Sequence, residues 1–212
     1  VMADVTGGND QHRLRACVAA DADFITDIRF GVPPDSYAFM DIGKRRSAGD
    51  VFGMAGITNA KIAAAVCNVV RHYDAGRLPS NNGASGDTVA TPQELREFYE
   101  QNAGIARSII AGRKVGECFR LSPSMMAAMH YILWRVNPTR ADDWFERLVS
   151  GEGLHGSLKL LYDTLNDNAK IGKRERIQPL FVMAFFVKAW NGAKLLKWRA
   201  PNADEPFPVP RA

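Results

Sequence analysis

Three sites at which a polar capping residue is followed directly by proline constrain the fold of this chain more than any other feature of its sequence. They are Thr91-Pro92, Ser122-Pro123 and Asn137-Pro138. A capping side chain followed by proline is typical of the first turn of an α-helix, because proline lacks the N–H group that this turn leaves unpaired. Apolar residues at helical spacing follow each site, so the sequence predicts helices ending near Gln101, Val136 and Ser150.

The same apolar periodicity predicts helices before and after this central group. One is expected to be capped by Thr58 or Asn59 and to continue to Tyr73. Two more are expected over residues 158–165 and 178–196. Together these patterns predict a domain of about six or seven helices.

The first part of the chain carries a different pattern. Residues 2–6 and the weakly alternating residues 24–32 predict two short strands, and residues 10–20 between them predict a helix. The expected fold class is therefore α+β and mostly helical. It comprises a small β-α-β portion over residues 1–50 and a multi-helix domain over residues 51–212.

The positive charge of the chain is concentrated near its C-terminal end. The whole sequence carries 27 Lys and Arg against 23 Asp and Glu, a net charge of +4 that does not require a nucleic-acid partner. Between Lys170 and Arg199, however, eight basic side chains accompany one acid, Glu175. This segment therefore carries +7, and the rest of the chain sums to −3.

Two interpretations of this basic segment stay open. Clustered cations bind a phosphate backbone, and an exposed Trp198 can stack on a base. The candidate nucleic-acid-binding residues are Lys170, Lys173, Arg174, Arg176, Lys197 and Arg199. The alternative is that the cations at the end of the last helix complement its dipole and that Trp198 packs on the core.

Cysteine usage and hydropathy indicate a cytoplasmic protein with no membrane partner. Three widely separated cysteines, Cys17, Cys67 and Cys118, form neither a disulfide framework nor a zinc-ligand pattern. The longest apolar run, residues 180–187, is much shorter than the about 20 residues that a membrane span needs. The opening residues lack the features of a secretory signal.

Two polar positions in the helical part are interpreted as structural. His130 lies in a Met-rich apolar stretch, which is typical of a histidine packed inside a helical core. Asp142 lies near the start of a predicted helix with Asp143 and Glu146, where carboxylates interact favourably with the helix dipole.

A glycine-rich turn before the first predicted helix is a candidate anion site. In Gly7-Gly8-Asn9-Asp10 the glycines are followed by a residue that can cap a helix, and the unpaired N–H groups of a helix start attract anions. His12 and Arg13 fall in the first turn, where they can donate to a phosphate. Asp10 can cap the helix or hold Mg²⁺. The alternative is an Asp-capped surface helix with solvated basic residues.

A second charged stretch follows about thirty residues later. Lys44, Arg45 and Arg46 are consecutive and stand between Asp41 and Asp50, which makes the segment a compact anion-attracting element. Ser47 can cap the next helix, with Asp50 in the capping-box position. The alternative is a solvated loop of charges.

Residues 10–16, Asp-Gln-His-Arg-Leu-Arg-Ala, resemble the Asp-Gly-Gln-His-Arg-Leu signature of the ParB/sulfiredoxin-like superfamily, in its phage and bacterial Asp-Gly-Gln-His-Arg branch. The glycine between Asp and Gln is absent here. Residues 41–47 resemble the Asp-x-Gly-Lys-x-Arg-(Ser/Thr) segment of the same relatives. Residues 188–191 and 196–199, Lys-Ala-Trp-Asn and Leu-Lys-Trp-Arg, resemble their C-terminal part.

This resemblance implies a nucleotide site built from both motifs. It implies that a phosphate is held by Gln11, His12 and Arg13, and that its charge is neutralised by Lys44, Arg45 and Arg46. It further implies ATP or CTP with Mg²⁺ as cofactor. Asp10 would be the metal ligand, and the catalytic residues would be Asp10, His12 and Asp41.

The function implied by the resemblance is that of a nucleotide-dependent protein, an NTPase or kinase, associated with DNA modification, defence or partition in phages or bacteria. Whether the chain is an enzyme stays open. One alternative is a non-enzymatic DNA-binding module that uses the C-terminal basic segment. Another is a helical structural or assembly protein that forms a homo-oligomer.

Overall fold

The computed structural model describes residues 11–23, 25, 47–76, 90–172, 174–197 and 207–212. Contacts divide the chain into two compact units, Val1–Ser47 and Ala48–Ala212. The first unit contains α1 (Gln11–Ala20) among its described residues. The described part of the second unit contains α2 (Ala48–Met54), α3 (Ala60–Asp74), α4 (Pro92–Gln101), α5 (Gly104–Phe119), α6 (Pro123–Val136), α7 (Pro138–Ser150), α8 (Gly156–Lys170) and α9 (Pro179–Trp190).

The expected α+β fold class is wrong for the part of the chain that the structure describes, where every regular element is a helix. The predicted strands at 2–6 and 24–32 lie outside the described residues, apart from Ile25, which is in neither a helix nor a strand. Among the described residues of this portion, Val18 on α1 is 83% exposed and Ile25 is fully exposed, so neither of these apolar side chains is buried against a sheet.

The core of the second unit is built around α6 and α9, which are apolar on all sides. Residues 126–133 of α6 and 182–187 of α9 are buried without interruption. A helix that is apolar all round must be enclosed by other elements. Accordingly, α6 packs against α3, α5, α7 and α9, and this arrangement places the hydrophobic core along α6.

The tightest helix pair is α5 with α6, and a glycine makes the contact possible. A Cβ atom on Gly112 would lie 2.2 Å from the backbone nitrogen of Ala127 and 2.4 Å from its Cα. No side chain fits in that space. The backbones of the two helices therefore approach more closely than any other residue would allow.

The three predicted cap-and-proline helix starts are confirmed. Thr91 forms a capping box in which its N–H donates to Glu94 Oε2 at 2.7 Å and its Oγ1 accepts from the Glu94 N–H at 3.2 Å. The Asn137 side chain accepts from the Arg140 N–H at 3.0 Å. Ser122 precedes its helix without a capping hydrogen bond.

Other helices begin or end at residues different from those predicted, and one helix was not predicted. Helix α9 ends at Trp190 and not near residue 196, because Gly192 turns the chain with φ +79°. Helix α8 is longer than residues 158–165. Helix α3 begins after Asn59, which adopts a left-handed conformation and makes no capping bond. Helix α5 was absent from the prediction.

Candidate nucleic-acid interface

Only the helix that follows the glycine-rich turn lies within the described part of the chain. Helix α1 begins at Gln11, as the capping pattern predicts. The positions of Asp10, Asp41, Lys44, Arg45 and Arg46 lie outside the described residues, as do the side chains of Gln11, His12 and Arg13. The predicted nucleotide site, with its Mg²⁺ ligand, therefore stays a prediction from the sequence.

Several of the C-terminal cations lie around the connection between α8 and α9. Lys170 ends α8, and Arg174 and Arg176 follow in the connecting segment. Lys170 and Arg174 are exposed, whereas Arg176 is half-buried. Lys173 and Arg199 lie outside the described residues.

Arg176 ties this connection to a distant turn of the chain. Its Nε donates to the carbonyl of Ile171 at 3.4 Å, and its Nη1 donates to the carbonyl of Arg120 at 3.4 Å. Arg120 is an exposed residue between α5 and α6, held in a left-handed conformation with φ +54°. The hydrogen bond therefore brings the backbone of a fourth basic residue, one that the sequence pattern did not include, next to the connection between α8 and α9.

A buried asparagine holds the same connection from inside. Asn168, 2% exposed, accepts the Ile177 N–H on its Oδ1 at 2.7 Å. Its Nδ2 is buried and has no hydrogen-bond partner in the described structure. The connection between α8 and α9 is thus fixed at Asn168 and at Arg176, and this restricts where Arg174 can lie.

We call Arg120, Lys170, Arg174 and Arg176 the basic corner. Two acids moderate its charge: Asp167 lies 3.1 Å from Lys170 Nζ, and Glu175 is exposed beside Arg174. The Lys170–Asp167 pair is largely solvent-exposed, so a polyanion can displace it at little cost. Exposed cations in such a cluster suit contacts to phosphate groups that do not depend on base sequence.

The structure does not bring Lys197 to the basic corner. The Ser157 hydroxyl, near the start of α8, donates to the carbonyl of Ala189, near the end of α9, so the two helices run antiparallel. Lys188 Nζ donates to the carbonyl of Lys197, which places Lys197 at the far end of α9. A helix of this length spans about 18 Å. The basic segment is therefore divided between two ends of the helical unit.

A buried polar chain links α5, α6 and α7, and sequence analysis did not connect its members. His130 Nδ1 lies 2.9 Å from Ser108 Oγ, and its Nε2 lies 3.2 Å from Asp142 Oδ1, outside hydrogen-bond alignment. Arg107 donates two hydrogen bonds to the Asp142 carboxylate, from Nε at 3.2 Å and from Nη2 at 2.6 Å. The Phe145 ring stands edge-on to the imidazole, with centroids 4.7 Å apart.

This Ser–His–Asp order resembles a hydrolase triad only in composition. Ser108 and His130 are fully buried, and the Ser108 hydroxyl donates to the carbonyl of Gly104 at 3.0 Å. A nucleophilic serine needs an accessible oxygen whose proton is directed at the base. Burial lowers the pKa of His130 to about 4, against the opposing effect of Asp142, so the imidazole is neutral near pH 7. The interpretation of His130 as a packed histidine is confirmed.

The described residues also line concavities, one of which lies next to this polar chain. One of about 660 Å³ lies between α2 and α3, and one of about 510 Å³ lies between α5 and α7 beside Arg107 and Asp142. Within the described ranges no three His, Cys, Asp or Glu side chains gather as metal ligands. None of the helices described has both the length and the apolar character that crossing a membrane demands.

Comparison with known proteins returned no match to a protein-family model, to a curated protein or to a solved structure.

Proposed function

We propose that the helical unit binds the phosphate backbone of DNA through the basic corner. The observation that supports this most is the pair of Arg176 hydrogen bonds, which join the end of α8 to the turn at Arg120. Two separate parts of the sequence that each carry cationic residues thereby lie side by side. Because these bonds hold the backbone of the connection, less backbone entropy is lost when a phosphate binds there.

The test is the salt dependence of duplex DNA binding, measured by fluorescence anisotropy with the full chain. In the double variant Lys170→Gln/Arg174→Gln we expect weaker binding and a logarithmic salt slope reduced by about 2, since each lost phosphate contact removes nearly one unit. Lys159→Gln is the matched control, because Lys159 is also an exposed α8 lysine with an acidic neighbour, Asp163 at 2.5 Å.

The control distinguishes DNA binding at the basic corner from DNA binding that depends only on the net charge of the chain. If Lys159→Gln changes the slope per removed charge as much as the double variant does, binding follows net charge and the proposed surface is wrong. A native chain that does not bind DNA at low salt also contradicts the proposal.

A second function, nucleotide binding, is supported by the start of α1. This helix begins at Gln11, directly after the Gly7–Asp10 segment, so the unpaired N–H groups of its first turn belong to the residues of the motif. Together with the superfamily resemblance, this favours phosphate binding by Gln11, His12 and Arg13. DNA association coupled to a bound nucleotide unites the two functions.

Nucleotide binding is tested by calorimetry with ATP, CTP and GTP in the presence of Mg²⁺. We expect selective binding by the native chain and at least tenfold weaker binding by His12→Ala/Arg13→Ala. Arg15→Ala is the control, since Arg15 is an exposed cation of the same helix just beyond the motif's first turn. Equal binding by the native chain and the double variant excludes this site and leaves the DNA proposal to its own test.

A further inference from the structure

An open groove of about 510 Å³ lies on the surface between α5 and α7. Near the starts of these helices, Arg107 and Asp142 join its two walls through the paired hydrogen bonds described above. The lining of the groove continues to Lys114 on α5 and to Val149 on α7, each seven residues further on. The two helices therefore run in the same direction along the groove, over about 10 Å.

The middle of the groove is apolar and open to solvent. Ile110 on the α5 wall is 61% exposed, and Val149 on the α7 wall is 37% exposed. Ala111 and the buried Phe145 complete the apolar lining. Large apolar side chains that are exposed on both walls of one groove, with charged residues at its rim, mark an interaction surface.

The two walls carry opposite charges. Helix α5 contributes the cations Arg107 and Lys114, and α7 contributes the acids Asp142 and Glu146. Arg107 and Asp142 neutralise each other within the chain. Lys114 and Glu146 are exposed and form no ion pair within the part of the chain that the structure describes. A cation on one wall and an acid on the other are therefore available to whatever fills the groove.

A second copy of this chain matches both features of the groove. In a symmetric dimer the same patch lies on both copies, so it must be complementary to itself. A two-fold axis parallel to the helices places α5 of each copy against α7 of the other. The basic wall of each copy then faces an acidic wall, and Ile110 meets Val149. A two-fold axis across the helices would instead place the two basic walls against each other, which is unfavourable.

We propose that two copies of this chain associate through the α5–α7 groove, with Ile110 and Val149 at the centre of the contact and Lys114 and Glu146 paired between the copies. The apolar contact supplies most of the affinity, because exposed ion pairs contribute little. The charges select the orientation of the two copies. A groove of this size makes a small contact, so we expect monomer and dimer to exchange in a concentration-dependent equilibrium.

The experiment is sedimentation velocity of the full chain over a wide range of protein concentration, in the absence of DNA. The native chain is expected to change from monomer to dimer as its concentration rises. Lys114→Glu makes both walls acidic and Glu146→Lys makes both walls basic, so each variant alone should dimerise about tenfold more weakly or worse. An equimolar mixture of the two variants should regain the dimer, because every acidic wall then faces a basic one.

Lys159→Glu is the matched control, since Lys159 is an exposed helical lysine outside the groove and the substitution changes the net charge as Lys114→Glu does. It should dimerise as the native chain does, and circular dichroism verifies that each variant is folded. The proposal is overturned if the native chain stays monomeric at every concentration, if both groove variants dimerise as well as the native chain, or if their mixture regains no dimer. None of these results bears on DNA binding at the basic corner, which has its own test.

Discussion

At the scale of single residues, His130 shows how burial sets the protonation state of a side chain. The imidazole is fully buried between Ser108 and Asp142, and burial lowers its pKa from 6.5 to about 4. The nearby Asp142 carboxylate favours protonation, but Arg107 neutralises that carboxylate. The polar chain therefore joins three helices and holds a neutral histidine.

This pKa predicts a loss of stability in mild acid. The unfolded chain binds a proton at His130 near pH 6.5 and the folded chain only near pH 4, so the stabilisation is complete above pH 6.5 and is lost as the pH falls through 4. Between pH 7 and pH 4.5 we expect the free energy of unfolding to fall by about 2–3 kcal/mol from this group. Urea denaturation at both pH values measures it.

His130→Gln keeps a polar side chain at this position without a titrating group. Its free energy of unfolding should be lower at pH 7 but should change less between pH 7 and pH 4.5 than that of the native chain. The same pH dependence in variant and native chain would assign the effect to the carboxylates instead.

At the scale of elements, helix starts can be predicted locally and helix interiors cannot. The Thr91 and Asn137 caps form with partners three residues away, so the sequence pattern contains both members of each bond. Helix α5 holds Gly104, Gly112 and Gly116, residues that lower helix propensity, and for that reason it was not predicted. Its glycines are explained by α6, whose backbone leaves no room for a Cβ at Gly112.

The caps predict a graded effect of substitution. Thr91→Ala removes the hydroxyl that accepts the Glu94 N–H and donates to the Glu94 carboxylate, and should lower the free energy of unfolding by about 1 kcal/mol. Ser122→Ala should cost less, because Ser122 makes no capping bond and contacts only Ser124 Oγ at 3.0 Å. Equal losses for both variants in urea denaturation would contradict a specific role for the Thr91 cap.

The space around each glycine predicts opposite effects of alanine at Gly112, in the α5–α6 contact, and at Gly53 of α2. Gly112→Ala forces the helix backbones apart and should destabilise the protein by about 3 kcal/mol. Gly53→Ala, on the exposed side of α2, places a Cβ 3.8 Å from its nearest neighbour and should stabilise by about 0.5–1 kcal/mol. Thermal unfolding of the two variants measures these changes in stability. A Gly112→Ala variant as stable as the native chain would contradict the prediction, because it would show that α5 and α6 can move apart at little cost.

At the scale of the whole molecule, the second unit encloses one core in which α6 and α9 are covered by their neighbours. Cys67 belongs to this core, and burial raises the pKa of its thiol to about 12. Cys118 on α5 is exposed. The two thiols therefore report on different states of the molecule, because only the thiolate reacts and only an accessible one.

Alkylation with iodoacetamide should modify Cys118 in the native chain and Cys67 only when the unit unfolds. Mass spectrometry of peptides after labelling at increasing urea concentration assigns each site. We expect Cys67 labelling to follow the unfolding transition, with Cys118 labelled before it. Cys67 modified as fast as Cys118 in the absence of urea would show that the core opens locally around α3.

The sequence by itself determined the predominance of helices and the starts of α4, α6 and α7, because caps, prolines and apolar periodicity act within a few residues. Its prediction of a β-α-β portion was wrong for the described residues, whose regular elements are all helices, and weak apolar alternation over a few residues is a poor signal for a strand. The nucleotide site stays a prediction, because Asp10, Asp41 and residues 44–46, together with the side chains of residues 11–13, lie outside the described part.

Only the tertiary structure decided which distant residues meet. The bonds from Arg176 to Arg120, from His130 to Ser108 and from Trp190 to Arg211 join positions 56, 22 and 21 residues apart. No local sequence pattern predicts such pairs, because they depend on which helices pack against each other, and several helices have similar apolar faces. The same packing places the cations of the basic segment at two different ends of α9. It also places residues 207–212 against Trp190 and Asn191.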